Sequence, residues 1–240
     1  MTDNISDISL HVYARVAGLA YIVVIMLGIV CVSFVESSLV VPGDHAATFN
    51  NIIDNELRFR ISIAGEILMY MLVVLLSLAL YVVLKTVNHN LALLALLWRL
   101  GEAIIGGSVT VISGLIPLLL LNRDAAFEGE QLQKLIGLFL GVRNAGLDVV
   151  LMFIGVGGAL FCYLLFKSKY IPKILAAWGI FTYLSMLILA LTSILIPNIS
   201  ETIKMVFYAP GGLFEISIGL WLLIKGINTE QWNNRVPEAT

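Results

Sequence analysis

The sequence predicts an all-α protein whose six helices cross a membrane as one bundle. Of its 240 residues, 60% are hydrophobic and 12% are charged, about half the charged fraction of a typical soluble domain. The apolar residues fall into six stretches, and each is about as long as, or longer than, the ~20 residues that a helix needs to cross a ~30 Å hydrocarbon layer. A single transmembrane domain over residues 13–227, between cytoplasmic tails at 1–12 and 228–240, accounts for this length.

The predicted spans follow the apolar stretches directly. Their limits are residues 13–34, 61–84, 91–121, 134–166, 172–196 and 207–224. The third and fourth are too long for a straight crossing, so we expect tilt or a kink, with Pro117 as the kink position in the third. The acidic and polar residues before Tyr13 indicate a signal anchor and not a cleaved signal peptide.

An even number of spans places both termini on one side of the membrane. Seven of the 14 basic residues then share that side and five lie opposite, so the positive-inside rule predicts cytoplasmic termini in the inner membrane. The even-numbered helices close with Tyr81 to Lys85, Tyr163 to Lys167 and Trp221 to Lys225, which suggests three tandem helical hairpins. The alternative is that every helix ending on the inner side needs such an aromatic and lysine anchor.

The outer loop over residues 35–60 is predicted to contain a short amphipathic helix. Pro42 and Gly43 form a turn, and the Asp44 carboxylate is placed to cap a helix N-terminus. Apolar residues then recur at helical spacing, at Ala46, Phe49, Ile53 and Leu57. This helix would either cover a pocket as a lid or serve as a simple connector at the membrane surface.

Charged side chains inside the predicted spans are the main functional signal. Those that lie away from the span ends are Glu66, Arg99, Glu102, Arg143, Asp148 and Glu215. Each charge at membrane depth costs about 2.5–3.5 kcal/mol when it faces lipid. These side chains must therefore pair with one another, face a water-filled cavity or lie near the membrane surfaces.

Depth and helical spacing divide these charges into a pocket group and an inner pair. Arg99 and Glu102 lie three residues apart and are predicted to pair along one helix face, as a structural pair or an inner gate. Arg143 points about 140° away from Asp148, so its expected partner is Glu66 or Glu215. The candidate residues of an outward-facing pocket are Glu66, Tyr70, Arg143, Asn144, Asp148 and Glu215.

Several function classes lack their sequence signals. The histidines lie in tails or loops and no metal-binding spacing occurs, so we expect no metal site. No phosphate-loop, nucleophile-elbow or dinucleotide-binding pattern is present, so we predict no cofactor. The net charge of −2 gives no indication of nucleic-acid binding. Cys31 and Cys162 each lie within an apolar stretch and are predicted to be small core residues.

Three functional interpretations fit these residues. In the first, a non-enzymatic protein binds or moves a small solute or protons through its charged pocket. In the second, an intramembrane enzyme acts on a lipid or isoprenoid-like substrate, with Glu102 or Asp148 as acid or base and Arg99 or Arg143 holding a head group. In the third, the protein is a sensor or scaffold whose ion pairs only lock the helices together. The expected partner is the lipid bilayer. The candidate ligands are a small solute, a proton or a lipid, and the sequence predicts no particular protein partner.

Short segments of the chain also carry a family resemblance. They are Ala14 to Tyr21 (ARVAGLAY), Val41 to Asp44 (VPGD) with Ala47-Thr48, Phe59-Arg60 with Ala64 to Glu66, Trp98 to Glu102 (WRLGE) and Gly219 to Asn228 (GLWLLIKGIN). Their order over nearly the whole chain resembles the bacterial family called domain of unknown function 4386. The resemblance implies a small, multi-pass, mostly bacterial membrane protein without an established activity, and it carries over no catalytic residues.

Overall fold

The computed structural model describes residues 2–31, 37–41, 43–121, 129–196 and 199–233, and over these ranges the chain is helical with no strand. Pro42 and the predicted tail beyond residue 233 lie outside the described residues. The helices are α1 (Thr2–Leu27), α2 (Ser37–Leu39), α3 (His45–Asp54), α4 (Glu56–Leu84), α5 (His89–Thr110), α6 (Ile116–Leu121), α7 (Glu130–Ser168), α8 (Lys173–Leu195), α9 (Glu201–Ile224) and α10 (Thr229–Asn233).

Six helical segments of the described chain are long and apolar enough to cross a membrane, which confirms the predicted all-α, six-span class. They are Leu10–Cys31, Glu56–Leu84, His89–Leu121, Glu130–Ser168, Lys173–Leu195 and Thr202–Ile224. Polar caps mark where two of them begin. Asn88 accepts a hydrogen bond from the backbone N–H of Leu91 at 2.9 Å, and Ser200 accepts one from Ile203 at 3.4 Å.

The six long helices pack side by side as a closed ring. The order around the ring is α1, α4, α5, α7, α8 and α9, and α9 returns to α1. The two chain-terminal spans are therefore neighbours, and they approach closely because Gly18 lies against the backbone of Leu223. Each predicted hairpin consists of two ring neighbours, whereas the tandem origin of the hairpins stays a prediction.

One end of the ring, which we call the termini end, carries the loops at 85–88, 169–172 and 225–228. The backbone N–H of Asn228 donates to the carbonyl of Tyr170 at 2.9 Å, and Leu10 and Trp232 are both buried in the same core cluster. Helix α1 begins before the predicted start at residue 13, and α10 lies beyond the predicted domain limit at residue 227. The half of the ring next to this end is packed with apolar side chains.

The opposite end, which we call the far end, carries α2 and α3. As predicted, the Asp44 carboxylate caps α3 by accepting a hydrogen bond from the backbone N–H of Ala47 at 2.9 Å. The face that packs against the bundle differs from the expected one, because Thr48 and Ile52 are buried while Ile53 and Leu57 are exposed. Helix α3 rests mainly on α7, where an apolar cluster and the close approach of His45 to Gly137 decide its rotation.

The third span is irregular near Pro117, close to the predicted kink position. A π-helical turn over Val111–Leu115 joins α5 to α6. The backbone N–H of Ile116 bonds to the carbonyl of Val111, five residues back. Pro117 has no N–H to donate and its ring crowds the carbonyl four residues earlier, so a widened turn suits this position.

Candidate functional site

A cavity of about 620 Å³ lies inside the ring, between its middle and the far end. Its walls come from α1, α4, α5, α7 and α9, and most of the side chains are apolar. The apolar side chains include Val24, Ile25, Val73, Leu147, Val150, Leu151, Ile154 and Ile216. The described residues that line it also include five acidic or basic side chains, namely Glu66, Arg99, Glu102, Arg143 and Glu215. The cavity therefore combines a large apolar surface with a few charged groups.

The charged groups nearer the far end tie three helices together. Arg143 of α7 forms a buried ion pair with the carboxylate of Glu66 on α4. The hydroxyl of Thr110, at the end of α5, donates a hydrogen bond to the other oxygen of Glu66 at 3.1 Å. Of the two partners that the sequence offered for Arg143, the structure selects Glu66.

The second ion pair lies along one face of α5, as its spacing predicted. Nη1 of Arg99 is 2.7 Å from Oε2 of Glu102, and their side chains are only 5% and 3% exposed. Arg99 lies roughly ten residues after the start of α5, which corresponds to about 15 Å from the termini end. The two residues line the same cavity as Glu66 and Arg143, so the expected separate inner pair belongs to one continuous site.

Glu215 of α9 lies at a similar depth on another wall. The Tyr183 hydroxyl of α8 donates to its Oε1 at 3.0 Å. Tyr183 is fully buried and packs edge-on against Phe214 at a ring distance of 5.6 Å. No arginine or lysine of the described residues forms an ion pair with Glu215.

The remaining predicted pocket residues divide between the cavity and other surfaces. Tyr70 lines the cavity, and its ring lies over Gly106, where a larger residue would clash. Asn144 is exposed and Asp148 lies close to Ser193 and Lys204, and neither lines the cavity. Helix geometry explains this difference. The face of α7 that contains Arg143 continues at helical spacing and lines the cavity with Leu147, Val150, Leu151 and Ile154.

Two tyrosines at the site were not singled out by sequence reasoning. Tyr183 supplies the hydrogen bond to Glu215, and Tyr208 lines the cavity on α9. A signal existed for Tyr208, since it precedes Glu215 by seven residues and so lies on the same helix face. For Tyr183 the only signal was a hydroxyl-bearing aromatic residue deep within an apolar span.

The cavity reaches the surface of the ring at two helices. The lining residues with exposed side chains are Ile29, Met205, Ala209 and Leu213. All of them belong to the first or last span, whereas the lining residues of α4, α5 and α7 are buried or half-buried. Outward surfaces of spanning helices contact lipid, so this opening faces the bilayer or its boundary.

The donor set does not suit a metal ion. Over the described ranges no group of three or more histidine, cysteine, aspartate or glutamate side chains is close enough to bind one. Two carboxylates that could otherwise bind a metal ion, those of Glu66 and Glu102, are already paired with arginines. The arrangement is instead suited to holding polar or charged groups by hydrogen bonds and charge pairing.

The ring of spans and its charged interior define a multi-pass membrane protein whose largely apolar cavity contains a few charged side chains. Residues 16–226 match the family described as "Domain of unknown function (DUF4386)". The match covers most of the chain, so the protein belongs to this family, and the resemblance noted in the sequence is confirmed. No curated protein and no solved structure matches the chain.

Proposed function

We propose that the protein binds an amphipathic small molecule in its intramembrane cavity. The observation that carries this proposal is the combination of a 620 Å³ cavity, largely apolar walls and ionisable side chains within one ring of helices. Pockets for small molecules typically have volumes of about 300–1,000 Å³, apolar walls and a few polar groups that fix orientation. The apolar body of the ligand would lie against the walls, with its polar group at the charged side chains.

The empty volume favours binding over a purely structural role for the charges. Two ion pairs that only lock helices together need no space between them, and protein interiors are close-packed with few voids larger than a water molecule. Here both pairs line one cavity of about 620 Å³. A bound molecule would occupy this space beside the two pairs.

The position of the opening supports a ligand that comes from the bilayer. Among the described residues, the exposed cavity-lining positions belong to the first and last spans, as at Ile29 and Leu213 on the outer surface of the ring. A molecule dissolved in the membrane would meet an apolar opening first and the charged groups afterwards. An amphipathic molecule fits this arrangement, because its polar group would reach the charged side chains while its apolar body lies at the apolar opening.

Photolabelling tests this proposal directly. A long-chain alcohol that carries a diazirine, added to the full chain in lipid nanodiscs, is expected to label Tyr70 and Tyr208 inside the cavity. Gly212→Phe fills the cavity, because a Cβ at this lining position meets only Ile25, at 3.8 Å. We expect this variant to lose labelling at both tyrosines, as measured by mass spectrometry of proteolytic fragments.

The matched control is Gly107→Phe on α5. A Cβ at Gly107 meets no atom within 4 Å, and the residue does not line the cavity. The control should therefore keep the labelling of the unmodified chain. Labelling confined to outward side chains such as Leu75 and Leu94 in the unmodified chain would contradict the proposal.

We also infer that both termini lie on the cytoplasmic side of an inner membrane. The termini end of the ring carries Lys85, Lys169 and Lys225 in its loops, with Lys167 and Lys173 beside them. Trp221 lies one helical turn before Lys225, at the depth where aromatic side chains anchor a span. This clustering of lysines and aromatic residues at one end supports the orientation that the positive-inside rule predicts.

A further inference from the structure

The side chains around the cavity do not balance in charge. Three carboxylates line it, from Glu66 of α4, Glu102 of α5 and Glu215 of α9, together with two guanidinium groups, Arg99 of α5 and Arg143 of α7. Helix α1 contributes no ionisable side chain to the lining, and α8 contributes only the Tyr183 hydroxyl through its contact with Glu215. With all five groups ionised, the lining has one negative charge in excess.

The ion pairs locate this excess at Glu215. Arg143 is paired with Glu66, and Arg99 is paired with Glu102 at 2.7 Å. Glu215 receives the Tyr183 hydroxyl at Oε1 and has no other hydrogen-bond donor among the described residues. A hydroxyl donor stabilises a carboxylate without neutralising it, so this group is suited to meet a cation.

The surroundings of Glu215 suit a cation on an apolar body. The neighbouring lining of α9 consists of Gly212, Leu213 and Ile216, which carry no charge. Arg99 acts electrostatically on Glu215, but its guanidinium group is already paired with Glu102 at 2.7 Å. Tyr70 and Tyr208 present aromatic rings to the same cavity, and the faces of such rings attract ammonium groups. An anionic ligand would instead add to the negative charge that the three carboxylates give the lining.

From this charge balance we infer that the bound molecule is an amphipathic cation, with an ammonium-type group paired to Glu215 and an apolar body along the cavity walls. This inference rests on the proposed binding function and adds the charge class of the ligand. The ammonium group would neutralise the excess charge of the lining, and the hydroxyl of Tyr183 would hold the carboxylate in position for it.

Competition among three matched probes tests the inference. Phenylbutyl-trimethylammonium, its neutral isostere with carbon in place of nitrogen, and phenylbutanesulfonate each compete with the diazirine alcohol for labelling of Tyr208. The full chain is placed in nanodiscs of zwitterionic lipid, and probe concentrations are corrected for partition into the bilayer. We expect the ammonium probe to halve the labelling at a concentration at least about tenfold lower than either of the others.

Substitutions identify Glu215 as the source of that preference. Glu215→Gln should bind the ammonium probe and its neutral isostere equally well, whereas Glu215→Asp should keep the preference. Glu230→Gln, at an exposed position on α10, is the matched control and should behave like the unmodified chain. The comparison of probes in the unmodified chain needs no variant, so it decides the question even if Glu215→Gln fails to fold.

The outcomes separate the two proposals. If the three probes compete equally in the unmodified chain, the cationic ligand is excluded while the binding cavity stands. If Glu215→Gln keeps the preference for ammonium, the pairing of the cation with Glu215 is excluded. If the diazirine alcohol does not label the cavity at all, the binding function itself fails. A tenfold preference that disappears only in Glu215→Gln supports both.

Discussion

Single ionisable side chains at the centre of the ring have specific partners. The ion pair between Glu66 and Arg143 connects two helices, and Thr110 adds a hydrogen bond from a third. A buried charge that loses its partner retains its desolvation cost without the compensating attraction. The free energy of unfolding should therefore depend strongly on single members of these pairs and weakly on exposed pairs.

Replacement of Arg143 tests this dependence. Arg143→Met leaves the Glu66 carboxylate with only the Thr110 hydroxyl among these partners, and we expect a loss of about 3–5 kcal/mol in the free energy of unfolding. Denaturation of the purified protein in mixed micelles measures the change. The double variant Glu66→Gln with Arg143→Met should recover part of the loss, because the uncompensated charge has been removed as well.

An exposed ion pair provides the control for that substitution. Arg60 and Glu56 of α4 are paired at 2.5 Å, with side chains 49% and 39% exposed. Arg60→Met should change the free energy of unfolding by no more than about 1 kcal/mol. Equal losses in Arg60→Met and Arg143→Met would contradict the distinction between the buried and exposed pairs.

At the scale of elements, small residues allow spanning helices to approach one another. Gly18 of α1 faces the backbone of α9, where a Cβ would lie 2.5 Å from the amide nitrogen of Leu223 and 2.7 Å from the carbonyl oxygen of Gly219. Backbone atoms cannot rotate away as a flexible side chain does. The contact between α1 and α9 therefore requires glycine at this position.

Alanine substitutions at two glycines should change stability in opposite directions. Gly18→Ala forces α1 and α9 apart, and we expect a loss of about 1–3 kcal/mol in the free energy of unfolding. Gly107→Ala meets no atom within 4 Å, and the better helix propensity of alanine should raise stability by up to about 1 kcal/mol. Thermal unfolding of both variants in the same detergent measures the difference, and a destabilised Gly107→Ala with an unchanged Gly18→Ala would refute it.

At the scale of the whole molecule, the ring has two chemically different ends. The termini end carries the lysine-bearing loops and a packed apolar core, whereas the cavity and α3 lie toward the far end. The lysines at one end and the cavity toward the other give the molecule two distinguishable ends across the membrane. The orientation inferred above therefore also determines which side of the membrane the cavity is nearer to.

Cysteine accessibility tests that orientation. Asn50→Cys on α3 and Lys85→Cys after α4 introduce thiols at exposed positions of opposite ends, while the native Cys31 and Cys162 are buried. A membrane-impermeant maleimide should label Asn50→Cys in intact cells and Lys85→Cys only after the cells are permeabilised. The reverse pattern would show that the termini lie outside the cytoplasm.

The sequence predicted features that depend on one helix at a time. Span number follows from apolar length, and the pair of Arg99 and Glu102 follows from a separation of three residues on one helix. The partner of Arg143 is 77 residues away in sequence, so periodicity left two candidates open. Such contacts depend on how the helices pack. That packing is determined by many side-chain contacts along the whole chain and not by one local sequence pattern.

The rotation of each helix about its axis was equally inaccessible to sequence reasoning. Helical spacing placed Arg143 about 140° from Asp148, but it gave no means of deciding which of the two faces the cavity. In the ring, α7 turns Arg143 and Val150 toward the cavity and leaves Asp148 near Lys204. The closed arrangement of the six spans likewise depends on contacts between α1 and α9 that no local pattern contains.

The contact between the first and last spans has a consequence for biosynthesis. Gly18 and Leu223 are separated by about 200 residues, so the ring cannot close until nearly the whole chain has been translated and inserted. Contacts of such high order slow folding, because the ends of a long segment must be brought together before the contact stabilises them. Until then the glycine face of α1 is open to lipid or to other helices. A chain whose synthesis stops before α9 would keep that face uncovered, which makes it a recognisable substrate for membrane quality control.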